Sequence, residues 1–539
     1  MPQRGRGIHQ LVGERARTTP SAAAVTDGDG TTYTYAELDL LSARLARTLL
    51  AHGIAPDDRV CLLLPKSAVA VSAMLAVLRC GAVYVPLDPR SPTGRLRTVL
   101  RRCAPRWIIA DPAYAAVLEE CRDPDGSGGP RVLWSRAADE RRRRPGDVAW
   151  EETAGADDGP CPELSAPSGL AYIMFTSGST GVPKGVPITH DSVAHFAQWL
   201  AGHFAVGAGD RLSGHPAFHF DLSVLDVYTA LTSGAELRLV PDSATFVPER
   251  LAGFIRDARL TQWCSVPSVL VAMRARDVVG QDDFPELRRV MWCGDELPAD
   301  TLGYWMRRLP HVRFTNLYGP TEATVASAFH TVTAVPDDRE QIPIGRAIPG
   351  EGLAVFTSEG RLAEAGATGE LCISGAGLTP GYWRDPEGTA RSFFEFPAGS
   401  GTRWYRTGDL ARSDSSGLLS FRGRQDRQIK SLGYRIELDE VALAVNSLAG
   451  VDQAAVVAVP TPGFEGRQIC AACTTDSGTE RDPALLRAEL LRLLPAYMVP
   501  TRWLWLPRIP VNANGKTDHR ALERRFAASE TTTDARSTL

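Results

Sequence analysis

Between residues 170 and 185 the chain reads LAYIMFTSGSTGVPKG, an apolar run that gives way to a loop of hydroxyls, glycines and one lysine. A short apolar run bounded by glycines suits a buried strand, and a polar loop leaving a strand end is where open α/β sheets take their ligands. The loop holds Thr176, Ser177, Ser179 and Thr180, the glycines Gly178, Gly181 and Gly185, and Lys184. Glycines let backbone N–H groups approach a polyanion, hydroxyls add donors, and a lysine brings mobile positive charge. A surface turn or linker can share this composition, but a linker needs neither the preceding strand nor a lysine beside a proline. A Walker A loop, GxxxxGK[ST], fails on two counts: Lys184 precedes Gly185, and Val186 stands where Ser or Thr would bind magnesium.

The same alternation runs through the first part of the chain. Apolar residues recur at helical spacing over 35–52, 68–80 and 191–205, the last carrying Trp199. Short apolar runs at 59–64, 83–89, 107–110, 263–266, 290–293 and 313–317 predict strands between them. Strands and helices in alternation imply parallel sheets covered by helices, an α/β class. Residues 369–382 alternate like a strand before a glycine turn, and a hairpin centres on Gly417. Beyond residue 437 the elements shorten (438–448, 454–459, 469–474, 483–494 and 503–506), which predicts a small α+β domain with its own core. Residues 121–169, with the basic run Arg141–Arg144, read as a solvated insertion, and the Ser/Thr-rich tail from Ala527 as disordered.

With 539 residues, 44% hydrophobic and 23% charged, the chain has the composition of a globular protein of several units. A net charge of -4 argues against binding driven by phosphate neutralisation on nucleic acid. The first residues lack an apolar signal core, and no apolar run reaches the ~18 residues of a membrane span, so a cytoplasmic enzyme is expected. The ten cysteines mostly stand singly, as Cys61, Cys80, Cys264 and Cys372 do. Cys470 and Cys473 form one CxxC without a second pair, which reads as strand, not zinc site.

Several residues stand out chemically. Asp221 precedes the helical pattern at 222–231, where it is either an N-cap or a carboxylate awaiting an ammonium. His215 and His219 lack a matching ligand cluster. YGPTEA, 318–323, places an aromatic, a hydroxyl and a carboxylate behind a strand end, where they can stack a base, meet a phosphate and hold a cation. Asp409 follows a Thr-Gly turn, a place from which a carboxylate can accept both hydroxyls of a ribose. The glycine turn NANGKTDHR, 512–520, presents Lys516.

Taken in order, these stretches resemble the adenylate-forming enzymes, which include acyl-CoA ligases and luciferases, and most closely the amino-acid-activating adenylation domains of non-ribosomal peptide synthesis. The resemblance rests on TYAELD (34–39), LRCGAVYVPLDP (78–89), the 170–185 segment, FDLS (220–223), NLYGPTE (316–322), GELCISG (369–375), YRTGDL (405–410), GRQDRQIKSLGYRIEL (423–438), LPAYMVP (494–500) and NGKTDHR (514–520). It implies an α/β fold. A large N-terminal domain, 1–425, has two α/β subdomains plus a β-barrel-like part; a small hinged α+β C-terminal domain, 426–526, turns about Asp426, and the tail is 527–539. It further implies ATP and Mg²⁺. Thr176, Ser177, Gly178, Ser179, Thr180, Gly181, Lys184, Gly294, Asp295, Leu317, Tyr318, Gly319, Thr321, Asp409, Phe421 and Arg424 would bind ATP, with Tyr318 on adenine and Asp409 with Arg424 on the ribose. Thr321, Glu322 and Lys516 would be catalytic, Glu322 as the magnesium ligand and Lys516 as the cation on the substrate carboxylate and α-phosphate.

By the same resemblance the substrate pocket would comprise Asp221, Leu222, Leu225, Cys264, Met291, Cys293, Leu317, Val325, Ala326 and Lys516. An Asp at the first position is the family's usual ammonium partner, and no other pocket side chain could neutralise a charged substrate side chain. A small or medium neutral amino acid is therefore expected: proline-like, alanine, serine or branched aliphatic. A β-amino-acid carrier-protein ligase and an acyl-CoA ligase remain alternatives. Neither an HHxxxDG motif nor a carrier-type Gly-Gly-x-Ser occurs, so a stand-alone enzyme serving a separate phosphopantetheinylated carrier protein in natural-product biosynthesis is expected.

Overall fold

The computed structural model describes residues 6–122, 129–137, 143–156, 159, 161–164, 168–178, 181–431, 433–461, 467–475, 480–512 and 516–534, with side chains to residue 528. The chain divides into two compact units. Met1–Pro89, Leu100–Phe175 and Gly185–Gln425 form the first; Arg90–Val99, Thr176–Lys184 and Asp426–Leu539 form the second.

Three sheets build the first unit. The first has six strands, in the order Arg131–Trp134, Trp107–Ala110, Arg59–Leu63, Val83–Pro86, Leu170–Thr176 and Lys184–Thr189. Pairing is parallel through the first five. Val60, Trp107, Tyr84 and Tyr172 are almost fully buried, as expected for parallel strands covered on both faces. Helix Ala68–Arg79 begins where Ser67 Oγ accepts the Ala70 N–H, and its sequence AVAVSAMLAVLR is apolar nearly all round because nearly all of it is buried.

The second sheet has nine strands, in the order Arg346–Ala347, Ala328–Val332, Arg313–Tyr318, Arg289–Cys293, Gln262–Ser265, Arg211–Gly214, Glu236–Leu239, Ala23–Thr26 and Thr32–Thr34. Its six central strands are parallel and its edges antiparallel. The chain leaves Arg211–Gly214 toward one side and returns on the other at Gln262–Ser265, so the strand order reverses between these two. Their ladder carries a single pairing, Gln262 with Leu212, and the Cys264 N–H turns to Ser213 Oγ at 3.0 Å. A reversal of this kind opens a crevice beyond the strands' carboxyl ends, where α/β proteins bind ligands.

The third sheet is antiparallel: Glu351–Phe356, Thr368–Gly375, Arg403–Ser413 and Phe393–Glu395 in order, with Leu419–Arg424 also on Arg403–Ser413. It stands where the barrel-like part was expected, and its hairpin turns at residues 414–418 around Gly417, φ 79°.

In the second unit, Gln453–Pro460 pairs antiparallel with Arg467–Thr474, which pairs parallel with Arg502–Trp505. Alternate residues face two cores: Val456, Ala471 and Cys473 pack with Val441 and Leu490, whereas Val457, Cys470 and Ala472 pack with Leu522 and Phe526. Cys470 and Cys473 therefore point to opposite faces of one strand and cannot share a metal ion. The described residues contain no group of three or more His, Cys, Asp or Glu side chains able to hold one. No described helix is long and apolar enough to cross a membrane.

Three expectations are corrected. Residues 121–169 are not simply a solvated insertion, because Arg131–Trp134 is an edge strand of the first sheet, with Val132, Leu133, Trp134 and Val148 buried. Its run RVLW is set between a Gly/Pro-rich stretch and a charged one, so no clear pattern marks it off. Within that stretch Arg141 and Arg142 lie outside the described residues, and Arg144 pairs with Glu119. Asp409 does not follow a turn: Arg403–Ser413 is one strand, and Gly408, φ 73°, forms a bulge within it. The last helix, His519–Asp534, carries on through residues 527–534 of the expected tail, anchored by buried Leu522 and Phe526.

Candidate active site

Asp221 decides between its two readings through its backbone. It stands just before helix Leu222–Ser233 with φ −61° and ψ −29°, already helical, and its side chain makes no capping bond. A capping residue needs extended dihedrals to fold its side chain onto the helix N–H groups, so the carboxylate is turned elsewhere. It accepts the Thr321 hydroxyl at 2.6 Å.

Thr321 comes from beyond a strand three places away in the sheet. Strand Arg313–Tyr318 stops at Gly319 and Pro320, and residues Thr321–Ala323 form one 3₁₀ turn. The chain leaves this turn through two consecutive non-glycine residues in the left-handed region, Thr324 at φ 53° and Val325 at φ 69°. For β-branched side chains this conformation is strained and persists only where surroundings impose it. Glu322, the second turn residue, is fully buried; it accepts the Tyr382 hydroxyl at 2.9 Å, and its carbonyl accepts the Thr379 N–H at 2.8 Å.

Behind Asp221 lies an apolar wall. Leu222, Leu225, Cys264, Met291, Cys293, Leu317, Val325 and Ala326 are all buried and belong to one hydrophobic cluster. The sheet register explains the grouping: Cys264 pairs with Met291, and Cys293 with Leu317, on adjacent strands at their carboxyl ends. Burial, with Asp226 and then Cys293 nearby, holds the Cys264 thiol well above its usual range, so it acts as a small apolar group.

Asp226 was overlooked at the level of sequence. It lies on the same helix, one residue past Leu225, is fully buried, and neither carboxylate oxygen has a hydrogen-bond partner among the described residues. Burial raises its carboxyl well above the ordinary range, opposed by Lys66, and so favours the neutral acid. Helical periodicity could have put Asp226 on the buried side, but not shown it unpartnered.

A second polar group gathers at the end of the same strand. Tyr318 donates its hydroxyl to Asp409 Oδ2 at 2.5 Å, and the Arg424 guanidinium pairs with Asp409 Oδ1 and reaches the Thr407 carbonyl at 3.2 Å. Burial and then the Asp409 charge push the Tyr318 phenol well up, so it remains a protonated donor. The Gly408 bulge aims Asp409 inward, where it is buried and opposite Arg424 in register. Gly294, φ 110°, and Asp295 follow strand Arg289–Cys293; Asp295 Oδ1 accepts the Glu296 N–H at 2.9 Å. Phe421 lies on Leu419–Arg424, with its carbonyl accepting Gln341 Nε2 at 2.7 Å.

The remaining expected residues belong to the second unit. In the loop, Ser177 donates to the Arg435 carbonyl at 2.6 Å, and the buried Thr176 hydroxyl has no partner among the described residues. A side chain at Gly178 would meet the Val182 carbonyl at 2.2 Å, so only glycine fits there. Gly181 bonds back to the Gly178 carbonyl at 2.9 Å, and burial raises the Glu437 carboxyl, opposed by Arg435 and, more weakly, by Lys184. Ser179 and Thr180 lie outside the described residues. Asp426 begins this unit after Gln425, and its carboxylate accepts the Gln428 N–H at 3.2 Å. Lys516 is held in a turn by Asn512, whose N–H donates to its carbonyl at 2.7 Å. Residues 513–515 lie outside the described residues.

Two α/β sheets, an antiparallel sheet and a small terminal α+β unit, with polar groups at the carboxyl ends of the parallel strands, define the architecture of an adenylate-forming enzyme. The family model for AMP-binding enzymes matches residues 12–383, and that for the AMP-binding enzyme C-terminal domain matches residues 440–516. The chain belongs to the AMP-binding enzyme family. It is 37% identical over 513 residues to an L-proline–[L-prolyl-carrier protein] ligase of Streptomyces coelicolor, covering 91% of each chain. It is 33% identical over 525 residues to tyrocidine synthase 3 of Brevibacillus parabrevis; that match takes in 97% of this chain and 8% of the synthase. Among solved structures, the Vibrio cholerae adenylation domain AlmE, in complex with glycyl-adenosine-5'-phosphate, superposes with a TM-score of 0.82 at 29% identity, covering 97% of this chain and 98% of that one.

Proposed function

We propose that the protein activates a small or medium neutral amino acid as its aminoacyl adenylate and passes it to the phosphopantetheine thiol of a separate carrier protein. The observation carrying this reading is the Asp221 carboxylate, free of helix capping, bonded to Thr321 and backed by an apolar wall. A carboxylate so placed suits a substrate ammonium, and the wall suits an uncharged side chain. An acyl-CoA ligase acting on a fatty acid would have no use for that charge.

In the proposed reaction an oxygen of the amino-acid carboxylate attacks the α-phosphorus of ATP in line. The bond to the bridging oxygen breaks, and pyrophosphate leaves. Asp409 with Arg424 would hold the ribose, Tyr318 the base, and Thr321 the α-phosphate. Glu322 suits magnesium because that ion is commonly held by one or two carboxylates together with substrate phosphates, and Glu322 is a buried carboxylate steadied by Tyr382. Magnesium, when bound, supplies charge neutralisation on the phosphate oxygens. Lys516 would add positive charge at the reacting carboxylate and α-phosphate. The carrier thiol then attacks the carbonyl carbon of the mixed anhydride, releasing AMP and leaving a thioester.

Amino-acid-dependent ATP–pyrophosphate exchange, run across the amino acids and the common β-amino acids, tests the proposal. Exchange with a small neutral amino or imino acid is expected. Exchange with none of them would sink it, and CoA thioester formation without carrier and indifferent to Asp221→Ala would favour the acyl-CoA ligase.

A further inference from the structure

Glu351 opens strand Glu351–Phe356 and has no part in the chemistry described above. Its side chain is only 2% exposed, and it faces His195 of helix His190–Phe204 at 3.6 Å. Burial raises its carboxyl to about 7, partly offset by a bond from the Gly377 N–H. A carboxylate in so dry a position is costly without a specific partner.

That partner leads to the active-site turn. Glu351 Oε1 accepts the Gly377 N–H at 2.8 Å, and the Gly377 carbonyl in turn accepts the Thr324 hydroxyl at 2.6 Å. Two residues on, the Thr379 N–H donates to the Glu322 carbonyl, and Tyr382 reaches the Glu322 carboxylate. Residues 376–382 thus form a strap laid on the turn, gripping Glu322 by main chain and side chain and Thr324 by its hydroxyl. The fit is tight: a Cβ at Gly377 would lie 2.9 Å from the Ala323 carbonyl oxygen and 3.1 Å from Glu351 Oε1. The strap is pinned on its outer side by Thr379 Oγ1 to the Pro187 carbonyl at 2.5 Å and by Ser192 Oγ to the Ala376 carbonyl at 2.8 Å.

The turn it holds is the strained one, with Thr324 and Val325 both left-handed. Strain of this kind needs an external clamp, and the bonded series from Glu351 through Gly377 to Thr324 is such a clamp. We infer that Glu351 is a positioning residue for the adenylation reaction, anchoring the 376–382 strap so that Thr321, Glu322 and Val325 stay in reacting register. It touches neither substrate nor metal in this assignment and acts only through Gly377. The inference rests on the proposed function, since it presumes that the 321–325 turn serves catalysis.

Two variants separate anchoring from mere bulk. Glu351→Gln keeps an acceptor for the Gly377 N–H, whereas Glu351→Leu keeps the volume and removes the acceptor. In pyrophosphate exchange, Glu351→Leu should lose about ten- to a hundredfold in kcat, with KM for ATP and amino acid within about threefold, because a misplaced catalytic group slows the chemical step more than binding. Glu351→Gln should restore kcat to within about threefold of the parent. Amide hydrogen exchange over residues 318–326 should speed up in Glu351→Leu and not in Glu351→Gln. Should the leucine variant not fold, Glu351→Thr, too short to reach Gly377, takes its place. Unchanged kcat and unchanged amide protection in the acceptor-less variant overturn the inference, as does equal loss in both variants. If the parent protein exchanges pyrophosphate with no amino acid, the proposed function falls, while the amide-exchange arm still decides whether Glu351 anchors the turn.

Discussion

Thr321 gives its hydroxyl proton to Asp221 across 2.6 Å, joining the turn after one parallel strand to the start of a helix a hundred residues earlier. This bond fixes the carboxylate without neutralising it. Asp221→Asn keeps a hydrogen-bond acceptor but loses the charge, so it should raise KM for the amino acid by about a hundredfold, roughly the weight of a charge-assisted bond in a partly buried site. KM for ATP should hardly change. Amino-acid- and ATP-dependence of pyrophosphate exchange measure both, and an equal rise in the two constants would contradict the assignment.

Asp409 is shared between Tyr318 and Arg424, so its removal should hurt more than that of the phenol. Asp409→Ala removes the acceptor that both partners share and should raise KM for ATP by about ten- to a hundredfold. Tyr318→Phe leaves the Asp409–Arg424 pair and the ring in place, and should change it by less than about fivefold. The ordering of the two, read from ATP titrations, is the decisive outcome.

Lys516 lies in the second unit, on a turn held by Asn512. If it serves adenylation alone, Lys516→Ala should reduce pyrophosphate exchange by about a thousandfold or more, in the range seen for removal of a transition-state stabiliser. Thioester formation from supplied aminoacyl adenylate should fall far less. Equal loss in both half-reactions would contradict a role confined to adenylation.

Asp226 should make stability fall with rising pH. Its carboxyl is raised well above 3.8 in the folded protein, chiefly by burial. A raised acid contributes stability that is fully present below its unfolded pKa, near 4, and lost as pH climbs toward the folded value. Asp226→Asn cannot ionise and should flatten that decline. Relative to the parent its melting temperature should be higher at pH 8 than at pH 5, by the equivalent of about 1–3 kcal/mol. A parallel pH dependence in both proteins would show that Asp226 is not held neutral.

Much of the fold was legible from local pattern. The helices Tyr35–Ala51, Ala68–Arg79 and His190–Phe204 and the strands Trp107–Ala110 and Leu170–Thr176 fall where 3.6-residue spacing or continuous apolar runs place them. The small domain's alternation likewise appears as Gln453–Pro460 and Arg467–Thr474, paired and buried on both faces. The strand Arg131–Trp134 was missed because four residues in a charged setting carry no period, and the Arg403–Ser413 strand was read as broken because Thr-Gly mimics a turn.

Helix and strand periods, the glycine-rich loop, and the candidate site residues of the 318–323 segment are legible in the chain alone, since they depend on neighbours within a few positions. The partners of those residues do not. Tyr318 meets Asp409 across 91 residues of sequence, Tyr382 meets Glu322 across 60, and Thr321 meets Asp221 across 100. Only the tertiary structure could decide that Asp221 is not a helix cap, that Asp226 is buried without a hydrogen-bond partner among the described residues, and that Glu351 bonds to the segment holding the 321–325 turn. The cause is common to all three. A carboxylate's role is set by what desolvates it and by whether anything donates to it, and here those groups come from segments that the fold, not the sequence, makes neighbours.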